Sequence, residues 1–211
     1  MKRVIVWGSE GGIGQGIARV FKGKGWEIVA VAREITGKSS FADWSYEADF
    51  TCPEEVAMVR EELEGMSLGL DVYVYAGGDI AAGKVGQIDA AVWDRILANN
   101  LTGVFHTLQA SLPVLAEKAH IFILGAISER LQLPGLSAYA AAKAGVEAFA
   151  VAFSKEERQK SISVVRPGAV ATDLWLKVPY KQPTYAIEVE DVGQKILAAY
   201  DRGHSGILDL V

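Results

Sequence analysis

Cysteine is almost absent from this chain, with Cys52 the only one among 211 residues. No disulfide can therefore form within the chain, and no cysteine cluster is available to bind zinc. The three histidines, His106, His120 and His204, are far apart in the sequence and show no metal-ligand spacing. The sequence predicts neither a disulfide scaffold nor a metal centre.

An excess of positive charge is also missing. The chain has 21 Lys and Arg against 26 Asp and Glu, a net charge of -5, and its basic residues are scattered. Nucleic-acid-binding proteins present a basic patch, so we expect no nucleic-acid partner. No apolar run is long enough to cross a membrane, and the apolar start, MKRVIVWG, is too short for a signal peptide. We expect a cytoplasmic protein with no membrane partner.

What the chain does contain is an alternation of short apolar runs with longer amphipathic patterns. Uninterrupted β-branched runs are typical of strands that are covered on both faces. We therefore predict an α/β protein, a doubly wound parallel sheet (Rossmann fold) of about seven strands with helices on both faces, in one domain over residues 1–211. The apolar runs lie at 3–7, 27–31, 71–76, 120–124, 161–165 and 206–211, and the helical patterns at 12–24, 53–64, 88–116, 137–157 and 190–200.

A glycine-rich stretch, GSEGGIGQG, follows the first apolar run and opens the first helical pattern. Gly8 permits a tight turn, while Gly12 and Gly14, on either side of Ile13, let a pyrophosphate approach the backbone. The helix that begins there offers free N–H groups to the phosphates. A glycine-rich loop without a ligand is the alternative, but the position between strand and helix favours a nucleotide site.

The glycine spacing and the motifs after it resemble the short-chain dehydrogenase/reductase family. The resemblance covers nearly the whole chain, and it implies an oxidoreductase that uses a nicotinamide cofactor. After the glycines come Asp49, AGG at 76–78, Asn100 in NNLTGVF, Tyr139 and Lys143 in YAAAK, and RPGAVATDL at 166–174.

The same resemblance implies contacts to the cofactor. Asp49 would bind the amino group of adenine, although a helix-capping or solvated acid is the alternative for this residue. Ala76 and Gly77 would pass close to the cofactor ribose. Pro167 and Thr172 would lie over the nicotinamide.

Arg33 bears on the choice of cofactor. An acid at the end of the second strand would favour NAD, but Ala32 and Arg33 stand there. A guanidinium pairs well with a 2′-phosphate, and Lys38 and Ser39 are candidates for further contacts. We predict NADP(H), with NAD(H) as the alternative, and a solvated arginine is the other interpretation of Arg33.

Tyr139 and Lys143 lie one helical turn apart. Such a pair is common by chance, but beside a glycine turn and Asn100 it predicts a reactive pair. An ammonium close to the phenol would lower its pKa from about 10 and suit general acid catalysis. The family resemblance implies that Lys143 also holds the nicotinamide ribose. It further implies that Asn100, on the apolar stripe of its predicted helix, sits at a break in that helix and holds a water connected to the lysine.

Ala126 occupies the position at which most members of that family carry a serine that steadies the substrate carbonyl. Ser128 is a candidate substitute. Either catalysis is lost, leaving a nucleotide-binding regulatory protein, or the substrate does not need this contact.

The motifs LGA at 124–126 and AGG at 76–78 resemble the dihydropteridine reductase branch of the family. So does the interval from Arg33 to Asp49, which is too short for a crossover helix and another strand. The quinonoid substrate of that branch accepts hydride readily. A general carbonyl reductase is the alternative.

Aromatic side chains follow Thr172. Trp175, Tyr180 and Tyr185 form either a lid that stacks on a flat small-molecule substrate or ordinary surface packing.

The helical patterns at 88–116 and 137–157 carry broad apolar faces. The resemblance implies that these helices pair in a homodimer or tetramer.

Overall fold

The computed structural model describes residues 1–65 and 69–210, in which seven parallel strands form one sheet of order β3-β2-β1-β4-β5-β6-β7. The predicted fold class is confirmed. The chain starts in the middle of the sheet, builds one half outward, and then returns to build the other. The strands are β1 (Arg3–Trp7), β2 (Glu27–Ala32), β3 (Trp44–Glu47), β4 (Leu70–Tyr75), β5 (Leu115–Leu124), β6 (Ser161–Pro167) and β7 (Gly206–Leu210). Val211, the end of the last predicted run, lies outside the described residues.

Helices cover both faces of this sheet. Alternate residues of a strand point to opposite faces, so Ile5 and Trp7 join one core while Val4 and Val6 join the other. Helices α1 and α6 pack together over one face, and the remaining helices cover the other. The helices are α1 (Gly12–Gly23), α2 (Pro53–Gly65), α3 (Ala90–Leu97), α4 (Gly103–Ser111), α5 (Ser137–Glu156) and α6 (Val189–Asp201).

The interval between Arg33 and Asp49 holds a strand that the sequence did not reveal. β3 pairs in parallel with β2, and no helix lies between these two strands in the chain. The interval is indeed too short for a helix and a strand together, but the strand is present and the helix is not. β3 was missed because it is a half-exposed edge strand, WSYE, rather than an uninterrupted apolar run.

The predicted helix at 88–116 is broken at Asn100, as the resemblance implies, but its predicted end is wrong. It consists of α3 and α4 separated by a π-helical turn at Ala98–Thr102, and a 3-10 turn at Leu112–Val114 ends it. Strand β5 begins at Leu115, earlier than predicted, because the exposed Glu117 and Lys118 conceal the first half of the strand in the sequence. No helix within the described part of the chain has the length and apolar character that crossing a membrane requires.

Candidate active site

A cleft of about 850 Å³ runs along the carboxyl ends of β1, β4, β5 and β6. The turn after β1 lines one end, and residues of the segment 173–185 line the other. The order of the sheet reverses at β1 and β4, and the crevice at such a reversal is where open α/β sheets bind ligands. The cleft is therefore the candidate active site.

The glycine turn closes one wall of the cleft by backbone contact. Gly8 has a φ of +92°, and a methyl group there would lie 2.6 Å from the backbone nitrogen of Gly77. A methyl group on Gly12 would lie 3.0 Å from Cγ2 of Thr172. The turn after β1, the AGG motif after β4 and the segment after β6 thus meet in space.

This wall fits a dinucleotide. The N-terminus of α1 opens onto the cleft, and bare glycine backbone leaves room for phosphate oxygens near its N–H groups. Most of the predicted cofactor residues are brought together in the cleft wall: Gly12, Ile13, Ala76, Gly77, Pro167 and Thr172 line it, and Gly8 and Gly14 shape the turn behind them.

Of the residues predicted to contact the adenosine half of the cofactor, only some line the cleft. Asp49 does not line the cleft; its Oδ1 accepts hydrogen bonds from the backbone N (2.9 Å) and the hydroxyl (2.8 Å) of Thr51, just before α2. These bonds form a local turn ahead of α2 and do not cap the helix, since Thr51 precedes its first residue, Pro53. The contact of Asp49 with adenine stays a prediction. Arg33 is exposed and does not line the cleft, whereas Lys38 does. The hydroxyl of the buried Ser39 donates to the Ser9 carbonyl (3.2 Å), so it is turned away from a ligand.

Helix α5 brings Tyr139 and Lys143 to the cleft wall, near the carboxyl end of β5. The lysine is 4% exposed, and its Nζ donates to the carbonyl of Leu124 at 2.8 Å. The same Nζ lies 5.6 Å from the centre of the tyrosine ring. The predicted reactive pair is therefore adjacent, with the cation over the ring.

The electrostatics of this pair differ from the expectation that the ammonium lowers the pKa of the phenol. Burial raises the pKa of Tyr139 to about 12 and lowers the pKa of Lys143 to about 8. Desolvation is the cause of both shifts, and the ammonium donates to a backbone carbonyl while it faces the ring. Tyr139 is thus held neutral, with its proton in place, at neutral pH.

Asn100 lies in the π-helical turn, on the same cleft wall, and is fully buried. Its Nδ2 donates to the carbonyls of Asp79 (2.7 Å) and Ile96 (2.8 Å). Its Oδ1 is buried without a hydrogen-bond partner among the residues of 1–65 and 69–210. A buried oxygen left in this way is suited to accept from a bound water. The neighbouring Asn99 is half-buried and its side chain donates to the Arg95 carbonyl, so it points away from the cleft partners of Asn100.

Ala126 lines the cleft at the carboxyl end of β5. The wall therefore carries a methyl group at the position where the family resemblance would place a serine hydroxyl. Ser128 begins a short 3-10 turn, and its side chain lies outside what the structure describes. The substrate contact predicted for Ser128 is therefore not placed.

The aromatic residues after Thr172 are tied to the body of the protein. Trp175 Nε1 donates to the Val170 carbonyl (2.8 Å), and the Tyr180 hydroxyl donates to the Pro134 carbonyl (2.7 Å). Both rings line the cleft, and so does Tyr185, although it is 72% exposed. The segment therefore covers the end of the cleft opposite the glycine turn.

Asp79 is a site residue that the sequence reasoning missed. Its carboxylate is 4% exposed, forms an ion pair with Arg95 of α3, and accepts from Lys177 Nζ at 2.6 Å. Since Lys177 belongs to the covering segment, this ion pair joins the two sides of the cleft. The available signal was the position of Asp79 directly after the AGG motif, at the carboxyl end of a strand.

Known proteins resemble this chain over most of its length. The family model described as short chain dehydrogenase matches residues 2–182. The chain is 30% identical over 212 residues to a D-beta-hydroxybutyrate dehydrogenase from Rhizobium meliloti, covering 93% of this chain and 82% of that protein. It is 26% identical over 183 residues to a 3-oxoacyl-acyl-carrier-protein reductase from Escherichia coli, covering 82% and 75%.

Solved structures share the fold. An alcohol dehydrogenase from the archaeon Thermococcus sibiricus, complexed with 5-hydroxy-NADP, superposes with a TM-score of 0.86 at 20% identity and covers all of this chain and 95% of its own. An aldohexose dehydrogenase from Thermoplasma acidophilum, in ligand-free form, also gives 0.86 at 20% identity, covering 99% and 92%.

Proposed function

Because the chain belongs to the short-chain dehydrogenase/reductase family of oxidoreductases, we propose that it reduces a carbonyl or quinonoid small molecule with NADP(H). The observation that carries the proposal is the convergence of Tyr139, Lys143 and Asn100 on one wall of the cleft, beside the glycine turn. Residues 1–211 serve in one domain, in the cytoplasm, for both cofactor binding and catalysis.

The cofactor is held by the glycine turn, Ala76, Gly77 and Thr172, and it supplies hydride when bound. NADP(H) is favoured over NAD(H) because no acid follows β2, while Arg33 stands there and Lys38 lines the cleft. The structural likeness to an alcohol dehydrogenase complexed with 5-hydroxy-NADP is compatible with this choice.

Tyr139 acts as the general acid. Burial keeps its phenol protonated, so the proton is available to the substrate oxygen or nitrogen. The ammonium of Lys143, charged below about pH 8, stabilises the phenolate that remains and binds the nicotinamide ribose. The unpartnered Oδ1 of Asn100 accepts from a water that returns a proton toward Lys143.

The substrate class follows from Ala126. The cleft offers no hydroxyl at that position, so Tyr139 steadies and protonates its substrate largely alone. A substrate that accepts hydride readily suits this wall, and a quinonoid dihydropteridine is the first candidate. Carbonyl compounds are the second; the names of the relatives add 3-oxo acyl compounds, whose reduction gives 3-hydroxy acyl compounds, to the carbonyl panel.

Ala126 also motivates a second function, that of a nucleotide-binding regulatory protein without catalysis. Cofactor oxidation separates the two functions. We expect NADPH absorbance to fall with a quinonoid dihydropteridine or with a member of a panel of ketones, aldehydes and 3-oxo esters. Tight cofactor binding without turnover of any of these would favour the regulatory function.

The Asn100→Asp variant tests whether the orientation of Asn100 matters, since it keeps the size of the side chain but removes the Nδ2 donor that holds it between the carbonyls of Asp79 and Ile96. We expect it to lose turnover while it still binds NADPH. If the variant keeps its turnover, Asn100 has no part in catalysis.

We further propose a homodimer or tetramer assembled through the predicted segments 88–116 and 137–157, now α3–α4 and α5. Phe105 on α4 is 48% exposed and Val151 on α5 is 58% exposed, which leaves apolar surface for a second copy. Sedimentation should show a multimer, and Phe105→Ser together with Val151→Ser should shift it toward the monomer. A monomeric wild-type protein would refute this assembly.

A further inference from the structure

The residues from 33 to 43, here called the 33–43 segment, connect β2 to β3 without a helix. Two carboxylates hold this segment at its backbone. Glu10 Oε1 accepts from the Ser39 backbone N at 2.8 Å, and Glu47 Oε1 accepts from the Ile35 backbone N at 2.8 Å. The second oxygen of Glu10 accepts from the Thr36 hydroxyl at 2.5 Å.

Glu10 belongs to the glycine turn, so it fastens the 33–43 segment directly to the phosphate-binding part of the cleft. The turn is itself braced, because Gln15 Nε2 donates to the Glu10 carbonyl at 2.9 Å. The buried Ser39 adds a second link through its hydroxyl to the Ser9 carbonyl. Glu10 and Lys38 both line the cleft at this end.

The charge of Glu10 has two opposite consequences for a cofactor with a 2′-phosphate. Burial raises the pKa of its carboxyl, but hydrogen bonds from Thr36 and Ser39 outweigh burial and lower it, so the group is ionised at neutral pH. A free carboxylate here would repel a phosphate. Both oxygens of Glu10, however, already accept donors from the 33–43 segment.

We propose that Glu10 is a positioning residue for cofactor selection, which holds the 33–43 segment against the glycine turn so that Arg33 and Lys38 face the 2′-phosphate. The inference rests on the proposed preference for NADP(H). In this role Glu10 takes the place of the missing crossover helix, which would otherwise fix the backbone after β2. Its two oxygens are hydrogen-bonded by Thr36 and Ser39.

Dissociation constants for NADPH and NADH test the proposal. Hydrogen bonds to a charged group contribute enough for about a tenfold effect. Glu10→Ala should therefore weaken NADPH binding about tenfold and leave NADH binding nearly unchanged. Glu10→Gln keeps one acceptor for Ser39 and should lie between wild type and Glu10→Ala. If Glu10 acts by repulsion, both variants will bind NADPH more tightly than wild type, and the proposal is wrong.

Thr36 supplies the matched pair of variants. Thr36→Val removes the donor to Glu10 at nearly constant shape and should weaken NADPH binding about threefold to tenfold. Thr36→Ser keeps the hydroxyl and should restore wild-type affinity. Equal affinities for Thr36→Val and wild type would contradict the role assigned to this hydrogen bond.

Amide hydrogen exchange without cofactor gives a readout that does not depend on activity. Glu10→Ala should speed exchange in a peptide that covers the 33–43 segment and leave peptides of β4 and β5 unchanged. Unchanged exchange in the segment would overturn the proposal. A wild-type preference for NADH would refute the proposed cofactor and, with it, the role at the 2′-phosphate. A wild-type preference for NADPH that Glu10→Ala leaves intact would refute this inference alone.

Discussion

Two groups of buried and half-buried ionisable side chains lie near opposite ends of the parallel strands. Lys143 and Tyr139 lie at the carboxyl ends, and His120 lies toward the other end, where its Nε2 is 2.9 Å from the Ser163 hydroxyl. The same hydroxyl lies 3.0 Å from Nδ1 of His204, just before β7. Burial shifts the pKa values of both groups toward the neutral form.

What differs is how the polar atoms are used. One serine hydroxyl serves both imidazoles, and the ring of His120 also stacks on Phe122 at 3.9 Å, so this group contributes to stability. At the carboxyl ends, Tyr139 and Lys143 face a cleft, next to the unpartnered oxygen of Asn100 within the described residues. Desolvation thus acts on both groups. In the histidine group the polar atoms are satisfied by one another, whereas in the other group the shifted side chains face a cleft.

The largest expected effect comes from removing the acid at the cleft. Tyr139→Phe should lower kcat by about 10²–10⁴-fold, since that is the usual contribution of a positioned general acid. Cofactor affinity should stay at the wild-type value, because the ring is kept. Steady-state rates and a binding titration check this; a decrease in kcat of less than about tenfold would mean that another donor supplies the proton.

The second largest effect is expected from acid, which should destabilise the protein by protonating His120. The pKa of His120 is lowered to about 4 by burial and then by His204, from an ordinary value near 6.5. The unfolded chain therefore binds more protons between these values, and the free energy of unfolding falls as the pH drops from about 6.5 to 4. The loss is about 3 kcal/mol by pH 4.

Urea unfolding of wild type and His120→Gln over this pH range measures the effect. The variant lacks the titrating group, so its stability should be lower at pH 7 but should fall less steeply toward pH 4. Parallel curves for the two proteins would contradict the assignment.

Alkali should act instead on the proposed catalytic pair, Tyr139 and Lys143. The pKa of Lys143 is lowered to about 8 by burial, so the ammonium is present below that pH and is lost above it. We expect kcat/KM to decline above about pH 8, approaching tenfold per pH unit. Lys143→Arg keeps its charge, so whatever its absolute rate, its profile should stay flat in this range. A wild-type profile that is flat to pH 10 would refute the role of the ammonium.

The smallest expected effect comes from adding a hydroxyl to the cleft wall. Ala126→Ser should raise kcat/KM for ketones about fivefold, the effect of one neutral hydrogen bond, and leave a quinonoid substrate unchanged. Ala126→Cys, similar in size but a weak donor, is the control. Equal gains for both substrate types would show that the hydroxyl acts on something other than carbonyl polarisation.

Much of the fold and part of the site followed from local sequence. Uninterrupted apolar runs located every strand except β3, because strands buried on both faces leave that pattern wherever they lie in the sheet. The glycine turn, Asn100, Tyr139 and Lys143 are carried by motifs with fixed spacing. The half-exposed β3 left no comparable pattern, and the break between α3 and α4 was expected only from the family resemblance.

The sequence by itself determined the class of fold, which depends on periodicity along the chain, and it pointed to Tyr139 and Lys143 as the proposed catalytic pair through motifs that resemble the family. Only the tertiary structure decided that desolvation raises the pKa of Tyr139, because burial is set by neighbouring elements. It also decided that Asp79 meets Lys177, and that Glu10 holds Thr36 and Ser39. These partners are distant in sequence, and no local rule encodes which of the many charged residues will meet.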